Sequence, residues 1–354
     1  MSETPLTERR ALRGLLALAA LVVLIAGLRA AGDVLLPIVF STFLAMLAIP
    51  GVNALRRAGV PRWASISLVV LVIALLLAGI TGILAETVRA FSARIGDYDD
   101  EFQQTMARVV AVGNAWGLDL GRFDVTDLDP GVMMQVLGSS LNAVVSVLSR
   151  LLIVIITMTF ILFEASELTR KVEVAFGTSE RPLGPFTDST GQIQRYLVIK
   201  TLASLATGLL AAGGTALIGV DFPILWGLVA FLLNYIPTIG SIVAAIPPVA
   251  LAIVELGLGW ALGVALLFLG INIVIGSLLE PRFQGRSLGL SPLVVFLSLL
   301  FWGWLWGPVG ALFSVPMTVI AKLILENNDD TRWIAVFLGS HRDVEEIDAA
   351  QHEG

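Results

Sequence analysis

Long uncharged stretches divide this chain and set the first expectation. Residues 34–55, 63–85, 201–220 and 256–279 each run at least twenty residues without a charge. A hydrocarbon core about 30 Å thick needs roughly 20 apolar residues of helix. A shorter stretch, 14–28, follows Arg9, Arg10 and Arg13. It reads with 34–55 as an N-terminal pair of helices. Two further stretches, 222–254 and 287–321, are too long for one straight span. The segment 151–163 is short and lies between Arg150 and Glu164. Extended back through 141–145 it makes a full span, with Arg150 near one end. There Arg150 either snorkels to the headgroups or lines a polar pathway.

Between the third and fourth spans the pattern changes. Phe91, Ile95, Tyr98, Phe102, Met106 and Val109 recur every three or four residues, which is one stripe of a helix. Residues 86–140 are therefore expected to hold an amphipathic helix lying on the membrane or against a partner helix. Basic residues set the orientation. With the N-terminus inside, only Arg29, Arg89, Arg94, Arg108, Arg122 and Arg150 of the 22 lysines and arginines fall outside. Both termini then lie in the cytoplasm, provided that each over-long stretch turns back on itself.

Both stretches have the residues to do so. One reads Asn234-Tyr235-Ile-Pro237-Thr-Ile-Gly240 and continues to Pro247-Pro248; the other reads Trp306-Gly307-Pro308-Val-Gly310 and continues to Pro316. Proline removes a helix donor, and glycine opens conformations closed to other residues. Gly240 is expected in such a conformation. The two segments read as re-entrant hairpins, with paired proline kinks as the alternative. Backbone freed from helical bonding at membrane depth persists where it is buried in protein or lines a wet cavity. Asp33 and Pro37 through Ile49-Pro50 echo Asp221 and Pro223 through Ile236-Pro237. The echo predicts a helix break at Pro50 as well.

Composition removes several classes of function. The chain is 56% hydrophobic and 14% charged, with a mean hydropathy of +0.89. A net charge of −6 gives no basic face for nucleic acid. There is no cysteine, so thiolate metal sites are absent. No lysine follows a glycine, so the chain has no phosphate-cradling loop of the Gly-Lys type. Both histidines, His341 and His352, stand in the acidic tail, where they cannot activate a nucleophile at membrane depth. No catalytic set, cofactor or metal is expected. Energy for transport would come from an ion or solute gradient. The helix-end charges Glu164, Glu167, Lys200, Asp221, Glu255 and Glu280 are the coupling candidates, with Asp221 and Glu280 nearest the broken segments. Asn272 precedes Glu280-Pro281-Arg282 by eight residues, about two α-helical turns on one face.

Three stretches together carry a family resemblance: 234–240 with Ala245-Ile246-Pro247, then 280–292, then 306–316. The segments 192–200 and 219–223 add to it. In order and spacing they resemble the autoinducer-2 exporter family of bacterial permeases, over about residues 11–327. The resemblance implies an inner-membrane protein of about eight spans, a homo-oligomer, moving autoinducer-2 or another solute, or exchanging sodium for protons.

The expected architecture is an all-α polytopic membrane protein with two broken hairpins. Three N-terminal spans occupy 1–85 and an extracytoplasmic helical segment 86–140. A span and a cytoplasmic helical segment occupy 141–200, the transport core 201–327 and an acidic cytoplasmic tail 328–354. The expected function is export of a small hydrophilic solute across the bilayer. Its pathway residues are Asn234, Tyr235, Pro237, Gly240, Pro247, Asn272, Glu280, Pro281, Pro308, Gly310 and Pro316. Sodium/proton antiport through Asp221 or Glu280 is one alternative, and a non-transporting membrane scaffold another.

Overall fold

The computed structural model describes residues 6–115, 151–176, 184–237, 239–284, 289–326 and 331–339. The expectations for 116–150, including Arg150, and for the tail with His341 and His352 lie outside these residues. Every regular element among those described is helical. In order they are α1 (Leu6–Ala30), α2 (Gly32–Arg57), α3 (Arg62–Ala115), α4 (Leu151–Phe176), α5 (Gly184–Ile218), α6 (Pro223–Leu233), α7 (Ile239–Leu256) and α8 (Leu258–Ile271). A π-helix (Asn272–Leu279) follows, then α9 (Glu280–Gln284), α10 (Pro292–Leu312), α11 (Ser314–Glu326) and α12 (Arg332–Leu338).

Among the described residues six helical stretches are long and apolar enough to cross a membrane, and three shorter apolar helices accompany them. Their outward faces carry large apolar side chains; Leu217 is 91% exposed. Water would penalise such a surface, and lipid does not. The protein is a multi-pass membrane protein. The expected outer helix is present to Ala115, but as a direct continuation of the third span: α3 is one helix of 54 residues.

Both over-long stretches turn back. In the first, α6 and α7 form hairpin 1. Its base is closed where the Asp221 backbone N–H donates to Glu255 Oε2 at 3.1 Å. In the second, α10 and α11 form hairpin 2. Its base is closed where Lys322 Nζ donates to the Gly289 carbonyl at 2.7 Å. Across it, Trp302 Nε1 donates to Thr318 Oγ1 at 2.9 Å. A kinked single span could not bring 221 to 255 or 289 to 322.

Glycine permits both reversals, by close approach. A Cβ on Gly240 would collide with the Leu233 carbonyl oxygen, seven residues back. One on Gly310 would collide with the Trp302 carbonyl oxygen, eight residues back. This corrects the expectation for Gly240, which lies in α7 and is absent from the positive-φ residues. The left-handed glycine is Gly307, at φ 67° inside the second break. The first break is also shorter than expected: α7 resumes at Ile239 and runs through Pro247.

The echo at Pro50 fails. α2 continues unbroken through Pro37 and Pro50. Proline at 50 leaves the Met46 carbonyl without its i+4 donor, and Gln194 Nε2 from α5 supplies one at 3.0 Å. An orphaned carbonyl at membrane depth is costly, and this side chain removes that cost.

The hairpins point in opposite directions along α5. Hairpin 1 starts at the C-terminal end of α5 and carries its tip back to Thr201 and Ser204. Its close packing on α5 rests on small residues, since a Cβ on Gly227 would lie 2.6 Å from Ala212 Cβ and 2.7 Å from the Gly208 carbonyl oxygen. Such small-residue contacts let membrane helices approach closely. Hairpin 2 carries its tip the other way, to the α1–α2 junction, where Trp306 Nε1 donates to the Leu28 carbonyl at 3.0 Å.

Candidate functional site

The polar groups of hairpin 1's tip converge on one face of α5. Lys200, Thr201, Ser204 and Thr207 recur at helical spacing there, and Lys200, Ser204 and Thr207 are buried. Asn234 Nδ2 donates to Ser204 Oγ at 3.0 Å, and the Tyr235 hydroxyl donates to Thr201 Oγ1 at 2.7 Å. On the tip's other side, Ser241 Oγ donates to Asn272 Oδ1 at 2.8 Å. Asn272 therefore anchors the tip from the α8 side.

One turn below, Lys200 Nζ donates to both oxygens of Glu280, at 2.8 and 3.0 Å. The side chains are 6% and 12% exposed. Burying two charges is expensive unless the geometry is good, and charges at membrane depth usually serve function. Glu280 also lines a cavity of about 620 Å³ between α2, α5 and the π-helix. Its walls are mostly apolar, with Gln194, Arg195 and Glu280 as the polar lining. Asn272 and Glu280 do not lie two α-turns apart, because the π-helix fills the interval.

The other predicted residues divide. Pro237 is in the first break and Gly240 immediately after it, whereas Pro247 is two turns into α7. Pro281 is exposed in α9. Asp221 does not join Glu280. It sits at the base of hairpin 1, where its carbonyl accepts from Trp226 Nε1 at 2.7 Å. The 11 residues of α6, at 1.5 Å each, put about 16 Å between base and tip. Pro308, Gly310 and Pro316 belong to hairpin 2, which meets the site through apolar packing. Val309, Phe313 and Val315 cluster with Phe43 and with Ile193, Tyr196 and Leu197 of α5. The sequence reading left Thr201, Ser204 and Ser241 out of the site. The spacing of polar residues along α5 was a signal for the first two; for Ser241 there was none.

These features agree with what the chain resembles. A family model described as AI-2E family transporter matches residues 18–329. The chain belongs to that family. It is 35% identical over 335 residues to the Escherichia coli (strain K12) "AI-2 transport protein TqsA", covering 94% of this chain and 97% of the relative. It is 33% identical over 341 residues to the E. coli (strain K12) protein YhhT, covering 96% and 98%; that name specifies no cargo. A Haemophilus influenzae relative is 34% identical over 338 residues, covering 94% and 97%. As an AI-2E family transporter, the protein presents one polar cluster formed by a broken hairpin, α5 and the α8–π–α9 helix.

Proposed function

We propose that this AI-2E family protein is a secondary transporter that exports a small hydrophilic solute of the autoinducer-2 kind across the bacterial inner membrane, with both termini cytoplasmic. The convergence of Asn234, Tyr235 and Ser241 on α5 and Asn272, beside the Lys200–Glu280 pair, carries the reading. Interrupted helices whose freed polar groups meet near the membrane interior are how transporters build solute sites. The hydroxyl and amide groups of the tip suit a polyhydroxylated cargo. Hairpin 1 forms the gate to it and hairpin 2 the apolar wall behind Tyr196. The relative named as an AI-2 transport protein supports the cargo class, the basic-residue asymmetry supports the orientation, and the working unit is a homo-oligomer in the bilayer.

Sodium/proton antiport is the second reading, and Glu280 is the acid that favours it. The lysine paired with that carboxylate argues against a sodium site there. Purified protein in liposomes decides between the two. Autoinducer-2 loaded inside should leave protein-containing vesicles faster than empty ones. Sodium-dependent proton flux with no autoinducer-2 movement would replace the first reading with the second.

A further inference from the structure

We propose that the π-helical segment Asn272–Leu279 links the tip of hairpin 1 to the Lys200–Glu280 pair by exchanging between π and α registers, a shift of one residue. The inference rests on the reading of hairpin 1 as the gate and adds the element that transmits its motion.

π-Helices are rare, and most are single-turn bulges at functional sites. This one covers eight residues, and the Glu280 backbone N–H bonds to the Ile275 carbonyl, five residues back. Its two ends carry the two contacts that matter. Asn272, the first residue, holds Ser241 at the tip; Glu280, the residue after the last, holds Lys200. Ile273, Val274 and Leu278 are exposed, so no close packing locks that side of the segment. Ile275, Leu279 and Glu280 border the 620 Å³ cavity, which gives the moving side room.

A segment bonded five residues back holds about one residue more than an α-helix would in the same turns. One residue is about 100° of α-helix. Relaxation to α, with α8 fixed, turns everything after Leu279 by that angle. Leu279 then stands where Glu280 stands now, and Glu280 swings off Lys200. A buried ammonium facing leucine is unfavourable, so the π register is the resting one. Motion of the tip that pulls on Asn272 draws the segment toward α, and breaking the ion pair does the same from the other end.

The chain has no cysteine, so paired substitutions report the register directly. In native membranes treated with a short bis-methanethiosulfonate that spans the reach of the lost side chains, Lys200→Cys with Glu280→Cys should form a cross-link. Lys200→Cys with Leu279→Cys should form one too, because each pair is opposed in one register. Deleting Val274 removes the extra residue. The shortened chain should fold as continuous α-helix with both ends in place, and there only the 200–280 pair should cross-link. Deleting Leu266 in α8 should give the same pattern, because relaxation of the segment to α absorbs a residue lost anywhere before Glu280 in this continuous helix. Failure of the 200–279 pair in the full chain overturns the proposal, as does its equal formation after deletion of Val274. Autoinducer-2 flux is not the readout, so a chain that exchanges registers without moving autoinducer-2 would refute the proposed cargo and leave this coupling standing.

Discussion

Lys200 and Glu280, eighty residues apart in the chain, meet with both carboxylate oxygens within 3.0 Å of one ammonium. The contact ties α5 to the end of the π-helix, at the residue next to Thr201, whose hydroxyl receives Tyr235. Removing one partner leaves an uncompensated buried charge, at a cost of about 3–5 kcal/mol. Lys200→Met should therefore lower the thermal midpoint of the purified protein steeply. Lys200→Met combined with Glu280→Leu should recover most of the loss. Additive losses in the double variant would mean that the pair contributes nothing as a pair.

A second cycle tests how α2 survives its proline. Gln194→Leu strips the donor from the Met46 carbonyl and should cost about 1 kcal/mol, the net worth of one hydrogen bond at this part-buried position. Pro50→Ala restores the helical donor, so Gln194→Leu should be nearly neutral in that background. Equal cost in both backgrounds, measured by thermal unfolding in detergent, would show that the side chain does not serve the proline.

That proline also marks where the sequence misled. Ile49-Pro50 and Ile236-Pro237 look alike, yet only the second interrupts a helix. The difference lies in Gln194, more than a hundred residues away, whose amide no local pattern connects to Met46. The reversals themselves were legible because proline, glycine and excess apolar length coincide at 234–240 and 306–310. Their cause at Gly240 was not: the constraint is the Leu233 carbonyl across the turn rather than a left-handed backbone. Lys200 and Glu280 were each visible as helix-end charges. Only the packing of α5 against α9 shows that they are partners, and a π-helix leaves no mark in hydrophobic periodicity.

Gly240 is the position where a small change should stop transport. Any Cβ there meets backbone, which cannot move aside as a side chain can, and overpacking costs about 1–3 kcal/mol. Gly240→Val should abolish flux in proteoliposomes while the protein still elutes at its normal size. Pro237→Ala should be milder, since it removes a constraint without adding an atom to the contact. The opposite order would indicate a span that needs its kink and no tight tip.

Asp221 and Glu280 should separate in function as they do in space. Glu280→Gln removes half of the ion pair beside the tip and should lower autoinducer-2 flux by about tenfold or more, equivalent to at least about 1.4 kcal/mol. Asp221→Asn keeps the backbone groups that close the hairpin base and should stay within about twofold, or roughly 0.4 kcal/mol. Equal losses in the two variants, measured as initial rates from matched vesicles, would put the coupling acid at the base instead.

If the tip of hairpin 1 is a wet, solute-contacting gate, it is open to aqueous reagents inside an apolar stretch. Single cysteines at positions 235–241, placed in the cysteine-free chain, test it with a small aqueous maleimide on membranes, with and without autoinducer-2. Labelling is expected at the tip, slowed when autoinducer-2 is present. Protection of all seven positions, or labelling that autoinducer-2 leaves unchanged, would contradict it.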